Sequence, residues 1–426
     1  MLNDYTVVYE ESSQPGGHCR SIIRDGWTFD LGPHIMFSRN RDVLDFMIQS
    51  LRENVHQSRR HNRVFVAGSM VKYPFENDLA ALDIEQRARC LLEYLFNSDR
   101  KLATSPQNLD EWFIGNFGSG MTDLYFRPYN EKIWKIALRD LSMSWSERIP
   151  SPPAVDVVKG ALGVPTEGYV HQLNYSYPLE GGYQAITDAW AERIPPDQLR
   201  LGHKVIKIEK VGDVTEVTTS QGSEAYDRVI STVPMPVLVE LAPNVPDRVR
   251  EAVNTLRINP INVVTLGYRG TDNNKFTAVY LPDSKFLPNR ISSPSVFSPR
   301  NAPEGCYSLQ AEITFPPGND YFAHSDDFLV EHVHNCVLEL GLVERGNEPI
   351  FHDVQRIAHA YVVYAVGYED AVRVVREWAT SQGIEIHGRF GSFDYLNVDG
   401  CISRSQELAS RLTGRPVELP RVNPVP

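Results

Sequence analysis

The sequence lacks the features that mark several large classes of protein. No apolar run approaches the roughly 20 residues that a membrane-spanning helix needs. The N-terminus has neither the basic nor the apolar region of a signal peptide. The five cysteines are scattered without CxxC spacing, which predicts reduced thiols in a cytoplasmic protein. No HExxH, GxSxG or zinc-type cysteine spacing occurs, so we expect no bound metal.

Positive charge is also scarce. The chain has 42 Lys and Arg against 54 Asp and Glu, a net charge of −12. A nucleic-acid binder needs a basic face, so this balance argues against one, although a few local arginines can still bind a small anion. The composition, 42% hydrophobic and 23% charged, is that of a globular protein, and 426 residues predict two or three domains.

Hydrophobic periodicity gives a coarse map of the chain. A strand is predicted before Glu10, and a mostly helical pattern extends from Asp83 to about Trp145. Four prolines between Pro150 and Pro165 predict a loop or crossover. Alternating patterns then predict strands at 204–211, 214–219, 228–232 and within 261–313, helices at 328–342 and 370–381, a short strand at 387–390 and a helix from about 400 to 412.

Two segments near the N-terminus have the residues of a nucleotide site. Glu10 ends the first predicted strand, where a carboxylate can accept hydrogen bonds from a ribose, and Gly16 and Gly17 allow backbone amides to approach a phosphate. An ordinary strand and turn with solvated acids explains this segment equally well. His34 follows a Gly-Pro turn between two apolar stretches, which suits a group facing a buried ligand, although a lone histidine is more often structural.

Two later segments combine aromatic and polar residues. Aromatics alternate with Arg, Lys and Asn at 73–75 and 126–134, which can stack a base or sugar, although a helical core with a charged face is the simpler interpretation. Arg389 lies between a predicted strand and a helix start that offers free amides to an anion. Asp399 could instead be no more than an N-cap.

In their order along the chain, these segments resemble the UDP-galactopyranose mutase family of flavoproteins, within the wider amine-oxidase-like FAD group. The resemblance covers nearly the whole chain, from Val7 to about Asp399. It is carried by the Glu10 and Gly-Gly segment, Gly32-Pro33-His34, Tyr73-Pro74-Phe75, Arg127-Pro128-Tyr129-Asn130, Tyr177-Pro178 with Gly181-Gly182-Tyr183, Arg290, and Gly388-Arg389-Phe390-Gly391.

The resemblance implies a fold and a set of site residues. It implies a Rossmann-like α/β FAD domain built from discontinuous segments (1–59, 174–257 and 346–426), an inserted helical domain (80–157) and an antiparallel β-sheet domain (60–79, 158–173 and 258–345). The implied cofactor-binding residues are Glu10, Gly16, Gly17, His18, Val205, Arg389 and Asp399, with His34 close to the flavin ring. The implied substrate-binding residues are Tyr73, Asn130, Trp134, Arg148, Tyr280, Arg290, Tyr361 and Tyr395, with Arg60 as a weaker match.

The resemblance also implies a reaction. Members of the family interconvert pyranose and furanose forms of a nucleotide sugar, with N5 of the reduced flavin as nucleophile and no net redox change. Arg148 and Arg290 would neutralise the diphosphate, and with His34 they form the implied catalytic set. The expected ligands are reduced FAD, with NAD(P)H as a possible reductant, and a UDP-sugar or related nucleotide sugar. A homo-oligomer is possible; no nucleic-acid partner and no membrane span are expected.

The sequence departs from the family pattern in three places. The strand and GxGxxG turn that open the family have no counterpart ahead of Glu10, so we expect that about 30 residues are lacking and that this chain binds FAD weakly. Either the true start lies upstream or the protein is a degenerate, non-catalytic relative. Ala278 and Gln172 stand where the pattern has an aromatic residue and Asn, which leaves the nucleotide sugar open. A redox enzyme of the amine oxidase or protoporphyrinogen oxidase type is the alternative activity.

Overall fold

The computed structural model describes residues 6–149, 152–167 and 173–420, apart from the side chains of Trp145, Glu147 and Arg148. Its strands are β1 (Val8–Glu10), β2 (Ser21–Arg24), β3 (Trp27–Asp30), β4 (His56–Arg59), β5 (Asn62–Val66), β6 (Ser69–Lys72), β7 (Asn174–Tyr177), β8 (Leu199–Leu201), β9 (Val205–Val211), β10 (Val214–Thr219), β11 (Gly222–Tyr226), β12 (Val229–Ser231), β13 (Arg257–Arg269), β14 (Ala278–Tyr280), β15 (Arg290–Ser292), β16 (Cys306–Thr314), β17 (Phe351–Val363) and β18 (Ile384–Ile386).

The α-helices alternate with these strands toward both ends of the chain and cluster in its middle. They are α1 (Arg41–Ser50), α2 (Ile84–Leu95), α3 (Leu109–Met121), α4 (Arg127–Trp134), α5 (Ala154–Ala161), α6 (Gln184–Ala191), α7 (Met235–Leu241), α8 (Asp247–Thr255), α9 (Pro294–Phe297), α10 (Asp326–Glu339), α11 (Tyr368–Ser381), α12 (Gly388–Gly391) and α13 (Val398–Thr413). A π-helical turn, Thr122–Phe126, joins α3 to α4. Within the described ranges, no helix is long and apolar enough to cross a membrane.

The largest sheet has seven strands in the order β17-β13-β16-β15-β14-β5-β6. Neighbouring strands are antiparallel except for the parallel pair β14 and β5. Strand β13 is buried at nearly every position because both of its faces are covered. Leu329, Val333 and Val337 of α10 pack against one face in a hydrophobic core of their own.

The α/β part contains parallel strand pairs. β1 pairs with β8, and β12 pairs with β18. An antiparallel meander, β9-β10-β11, lies between these elements in sequence. Parallel pairing through helical crossovers is the mark of an α/β fold, and the mixed α/β architecture expected from the sequence is confirmed.

The helical block packs closely because glycines of α3 face α2. Gly118 has a φ of 77°, and a Cβ at this position would lie 2.4 Å from the backbone oxygen of Glu93. Helix α2 begins at a capped end, since the Asp83 carboxylate accepts hydrogen bonds from the amides of Glu85 and Gln86. This block places the side chains of the π-helical turn and α4 beside the seven-stranded sheet.

Three local predictions were wrong. The proline-rich segment between Pro150 and Pro165 contains helix α5, whose N-cap residue is Pro153; the proline does not interrupt the helix because it lies before the first helical residue. The strand predicted at 387–390 ends at Ile386, and Gly388–Gly391 is a helical turn. Asn397, rather than Asp399, occupies the N-cap position of α13.

The predicted division into domains stays a prediction, and two elements do not follow it. Helix α5 continues across the boundary at 157/158 and packs against α2. Strand β17 lies in the seven-stranded sheet beside β13, although its sequence falls in the segment 346–426 assigned to the FAD domain.

Candidate functional site

A cavity of about 600 Å³ lies where the seven-stranded sheet, the helical block and the α/β part meet. It brings together eleven of the predicted residues from distant parts of the sequence. They are His18, His34, Arg60, Tyr73, Asn130, Trp134, Tyr280, Arg290, Tyr361, Arg389 and Tyr395. Glu10, Gly16, Gly17, Val205 and Asp399 do not line it. The side chain of Arg148 is outside the described residues, as is Gln172.

A row of paired residues crosses the sheet at the cavity. Tyr280 on β14 pairs with Arg290 on β15, and Arg290 pairs with Glu312 on β16. Because residues directly opposite on neighbouring strands share a face, the three side chains lie on one side of the sheet. Arg290 Nε donates to a Glu312 carboxylate oxygen in a short ion pair. Only 3% of the Glu312 side chain is exposed, against 24% of that of Arg290.

The arginine of this pair stays charged. Burial acts to lower the pKa of Arg290, but the Glu312 carboxylate, together with Tyr361 and Tyr280, outweighs it and holds the pKa well above its usual range. Tyr361 adds a third member, since its hydroxyl donates to Glu312 Oε1 at 3.3 Å. The pair is therefore a fixed, hydrogen-bonded element of the cavity wall.

Two further guanidinium groups line the same cavity. Arg60 stacks over the ring of Phe37, with 5.0 Å from Cζ to the ring centre, and burial lowers its pKa. Arg389 stacks over Tyr395 at 4.1 Å and donates to the backbone oxygen of Leu396. Arg389 Nε is buried without a partner, and no carboxylate of the described residues forms an ion pair with this side chain.

The cavity therefore carries an excess of positive charge. Three guanidiniums, Arg60, Arg290 and Arg389, face one ionised carboxylate, Glu312. A second carboxyl, Glu76, is held neutral at pH 7 because burial raises its pKa to about 8. Of the described lining residues, the three arginines and Glu312 therefore hold the formal charges, and the lining is net positive. A small anion fits such a lining.

The histidines of the cavity are neutral. Burial, with smaller contributions from Arg389 and Arg290, lowers the pKa of His34 to about 4, although a hydrogen bond to the Gly32 backbone opposes the shift. Burial, with His34 and Arg389 nearby, also lowers the pKa of His18 to about 4. His34 Nδ1 is buried without a partner. A neutral ring with one free nitrogen can exchange a hydrogen bond with a ligand near pH 7.

The turn that carries His34 is held from behind by a buried carboxyl. Asp30, at the end of β3, accepts hydrogen bonds from Ser21 Oγ at 2.6 Å, from the Tyr177 hydroxyl at 2.9 Å and from the Tyr183 amide at 2.9 Å. Burial raises the pKa of Asp30 to about 6 although these donors oppose the shift. Asp30 thus ties β3 to β7 and α6 just before the Gly-Pro-His turn.

The predicted cofactor residues outside the cavity lie in two groups. At one end, the backbone oxygen of Glu10 accepts from the amide of His203, which brings the first strand next to the segment that leads into Val205. Gly16 has a φ of 115°, and a Cβ there would lie 2.7 Å from Thr187 Oγ1, so only glycine fits this turn. At the other end, Asp399 accepts from Ser38 Oγ at 2.7 Å.

The two groups are linked through the Gly-Gly turn. His18, directly after that turn, meets Phe390 edge to face, with ring centres 4.9 Å apart. This contact joins the N-terminal segment to the helical turn α12, which carries Arg389. A path of predicted residues therefore leads from Glu10 to the cavity.

Two predicted substrate residues, Asn130 and Trp134, form a hydrogen bond with each other. Asn130 Nδ2 donates to the Phe126 backbone oxygen at 2.7 Å, and its Oδ1 accepts from Trp134 Nε1 at 3.3 Å. They shape the cavity wall, and their polar groups are less free to meet a ligand than the sequence implied. Ala278, the residue that departs from the pattern, also lines the cavity.

Sequence reasoning missed two acidic residues of the cavity. Glu312 lies in β16, whose other positions are nearly all buried, and a charged residue within such a strand is the signal that could have identified it. Glu76 follows Tyr73-Pro74-Phe75 and is 2% exposed. No spacing rule singles it out, because its burial depends on helices that follow it in the chain.

Comparison with known proteins identifies the family. The model of the flavin containing amine oxidoreductase family matches residues 3–369, and the chain belongs to this family. A crystal structure of reduced UDP-galactopyranose mutase superposes with a TM-score of 0.88 at 27% identity, covering 98% of this chain and 92% of that one. Cyclohexylamine oxidase from Brevibacterium oxydans IH-35A superposes with a TM-score of 0.67 at 14% identity, over 96% and 93% of the two chains.

One curated relative is a redox enzyme. Mitochondrial protoporphyrinogen oxidase of Nicotiana tabacum is 23% identical over 279 residues, which is 54% of this chain. The match spans about half of that relative, 53% of its length. The family and the mutase-like fold together support FAD as the cofactor. The expectation that an N-terminal GxGxxG segment is lacking stays a prediction.

The residues at the cavity fit a flavin dinucleotide. Arg389 has a buried nitrogen without a partner, and His34 has a buried ring nitrogen without one, so both have hydrogen bonds to give or receive. Gly16, outside the cavity, has no room for a side chain, because a Cβ there would lie 2.7 Å from Thr187 Oγ1. These are features of a polar, flat ligand held against backbone and arginine.

Proposed function

We propose that this protein is a UDP-galactopyranose mutase-like flavoenzyme that interconverts the pyranose and furanose forms of a nucleotide sugar. One observation carries the proposal: three guanidiniums, Arg60, Arg290 and Arg389, and a group of tyrosines line one cavity with a single ionised carboxylate. A diphosphate supplies the charge that this cavity lacks. Oxidation of an amine has no need of such a cationic cluster.

The roles follow from the chemistry of each residue. Arg290 presents a planar fork that matches phosphate oxygens, and Glu312 fixes its direction. Tyr280, opposite Arg290 on the next strand, and Tyr361, bonded to Glu312, offer hydroxyl groups around the same point. Arg60 adds a second cation beside Arg290. In the proposal these groups hold the diphosphate, and Tyr73 and Tyr395 extend the set.

The cofactor would occupy the path from Glu10 to the cavity. Glu10, Gly16, Gly17, His18, Val205, Arg389 and Asp399 are the proposed FAD-binding residues. Reduced FAD supplies the nucleophilic ring nitrogen that the isomerisation requires. His34, neutral at pH 7, would give or receive a hydrogen bond beside the flavin ring without adding charge.

The protein contributes binding and alignment in this scheme. The cavity described above has no pair of carboxyls arranged as acid and base, since Glu312 is committed to Arg290 and Tyr361. Holding the reacting groups in register can itself supply a large part of a rate enhancement. Arg148 is the other predicted diphosphate ligand, and the domain division given above is part of the same proposal.

A redox reaction is the second candidate function. The curated relative from Nicotiana tabacum is similar in sequence, the amine oxidase structure shares the fold, and part of the cavity wall is apolar, including Phe113, Phe126 and Ile133. A flavin oxidase would consume oxygen with its substrate, whereas a mutase would not. Oxygen consumption therefore distinguishes the two reactions.

The test is a mutase assay on the FAD-loaded protein. The protein is reduced with dithionite and incubated with nucleotide hexopyranoses, and the furanose form is followed by chromatography and NMR. We expect furanose product with reduced and not with oxidised protein, and loss of product with Arg290→Ala. Oxygen consumption with protoporphyrinogen or an amine, without any isomerisation, would instead support the redox candidate.

A further inference from the structure

Glu76 is a buried carboxyl that faces the cavity. Its side chain lines the cavity, and the residue is 2% exposed. No other residue within the described ranges gives it a hydrogen bond or an ion pair; burial raises its pKa, and only a hydrogen bond from its own backbone amide opposes that shift. A buried carboxyl costs free energy unless hydrogen-bond donors meet it. A ligand bound in the cavity could supply the hydrogen-bond donors that Glu76 lacks.

The backbone around Glu76 is held in place. Phe75 and Asn77 beside it are buried, and Asn77 Nδ2 donates to Thr166 Oγ1 at 2.8 Å. Helix α5 presses on the same turn, since a Cβ on Gly160 would lie 2.4 Å from the Asn77 backbone oxygen. Glu76 is thus a fixed feature of the wall.

Glu76 lies at the end of the cavity away from the predicted flavin position. Its titratable neighbours are the phenols of Tyr94, on α2, and Tyr125, on the π-helical turn; burial raises the pKa of both, and the Glu76 carboxylate adds to each shift. Tyr125 stacks on Tyr129 with ring centres 5.5 Å apart, and Tyr129 meets Tyr280, the neighbour of Arg290. The arginines lie beyond these tyrosines.

The cavity is therefore ordered along its length. Arg389 and His34 lie at one end, the Arg290 pair in the middle, and Glu76 at the other end among aromatic rings, including Phe75 at 5.0 Å from Tyr125. A nucleotide sugar whose sugar meets the flavin and whose diphosphate meets Arg290 would place its base beside Glu76. Flat rings beside a polar group suit a base, because every base has a π-face to stack.

We propose that Glu76 selects guanine, so that the substrate is a guanosine diphosphate sugar. An ionised carboxylate only accepts hydrogen bonds, and guanine is the common base with two adjacent donors, N1–H and the N2 amino group. Two parallel bonds to a charged acceptor are stronger than neutral ones. Uracil presents a donor between two acceptors, and adenine and cytosine present a donor beside an acceptor. This inference rests on the function proposed above and narrows it.

The free protein holds Glu76 as a neutral acid at pH 7, because its pKa is about 8. Guanine would therefore bind with release of a proton, and the arginines of the cavity favour the resulting negative charge. A neutral acid can also pair with the donor and acceptor edge of uracil. That pairing requires no charge, and a glutamine would perform it at a lower cost of burial.

The test measures the affinities of GDP and UDP by calorimetry on the FAD-loaded protein. We expect GDP to bind about tenfold or more tightly than UDP, in line with two charge-assisted bonds. Glu76→Gln should abolish or reverse that preference while UDP still binds. Glu85→Gln, which removes a carboxylate in the first turn of α2 outside the cavity, should keep the wild-type ratio.

The outcomes separate the two proposals. Tighter binding of UDP than of GDP, or a GDP to UDP ratio that Glu76→Gln leaves unchanged, would overturn the guanine inference and leave the mutase proposal intact. Failure of all nucleoside diphosphates to bind would contradict the mutase proposal itself.

Discussion

Arg290 and Glu312 lie directly opposite each other on antiparallel strands and form an ion pair at the wall of the cavity. The pair is asymmetric, because the carboxylate is almost fully buried while the guanidinium reaches the cavity. The strand register thus places the buried Glu312 carboxylate where it holds the side chain of Arg290, which faces the cavity. Breaking the pair from one side has consequences for stability as well as for binding.

Arg290→Ala should strongly destabilise the fold. It leaves Glu312 buried without a counter-charge, and breaking a buried pair typically costs about 3–5 kcal/mol. The double variant Arg290→Ala, Glu312→Gln should recover a large part of this loss, since no charge stays buried. Urea unfolding measures both.

Arg59→Ala is the matched control, because Arg59 forms an ion pair with Glu167 that is about half exposed on both sides. Surface pairs contribute about 0–1 kcal/mol, so this variant should unfold nearly as the wild type does. Equal destabilisation by Arg59→Ala and Arg290→Ala would mean that the buried ion pair with Glu312 contributes no more to stability than an exposed one.

The two cavity histidines should make the fold sensitive to acid. Burial lowers the pKa of His18 and His34 from 6.5 to about 4, so the unfolded chain binds more protons than the folded one below pH 6.5. Their contribution to stability is complete above pH 6.5 and is lost as the pH falls toward 4. Replacing both by Gln should flatten the fall in the free energy of unfolding over this range.

The exposed His352, replaced by Gln, serves as the control for that experiment and should retain the wild-type fall. Comparing differences between variants removes the opposite contribution of Asp30, whose pKa burial raises. A His18→Gln, His34→Gln protein whose stability falls as steeply as the wild type would show that these rings are not buried in neutral form.

Glu76 should act in the opposite pH direction. Burial raises its pKa from 4.5 to about 8, so the folded chain binds the proton more tightly than the unfolded one. Its effect is to reduce stability as the pH rises from 4.5 to about 8. In the absence of nucleotide, the free energy of unfolding of Glu76→Gln should therefore increase relative to that of the wild type as the pH rises across this range.

That gain should level off above pH 8, and Glu85→Gln should show none of it. Thermal unfolding followed at a series of pH values measures the difference. A constant offset between Glu76→Gln and wild type at all pH values would show that Glu76 is solvated, and would weaken its role as a ligand group.

Much of the fold could be predicted because the sequence signals are local. Strands β9 and β10 follow the predicted limits closely, since an alternating pattern and a glycine turn at Gly212 define both. Helix α5 was missed because the prolines around it predict a loop, whereas Pro153 in fact precedes its first turn. The strand predicted at 387–390 lies three residues earlier, as β18, and Gly388–Gly391 is a helical turn.

The candidate site could be predicted only in part, for a different physical reason. The family resemblance supplied Arg290, but its partner Glu312 is 22 positions away and is defined by strand register, which no spacing in the sequence reveals. The importance of Glu76 depends on burial by α2, α5 and the π-helical turn. Arg60 seemed a weak match in sequence, yet it lies in the cavity with Arg290.

The most direct measurement of the central claim is a nucleoside diphosphate titration of the FAD-loaded wild type, Arg290→Lys and the stability-compensated Arg290→Ala, Glu312→Gln variant, with Arg59→Ala as control. If Arg290 grips the diphosphate, loss of the guanidinium should weaken binding by about 2 kcal/mol or more, near thirtyfold, and Lys should recover only part of it. Arg59→Ala should bind as the wild type does. Unchanged affinity in the Arg290→Ala, Glu312→Gln protein would contradict the nucleotide-sugar account and leave the redox alternative ahead.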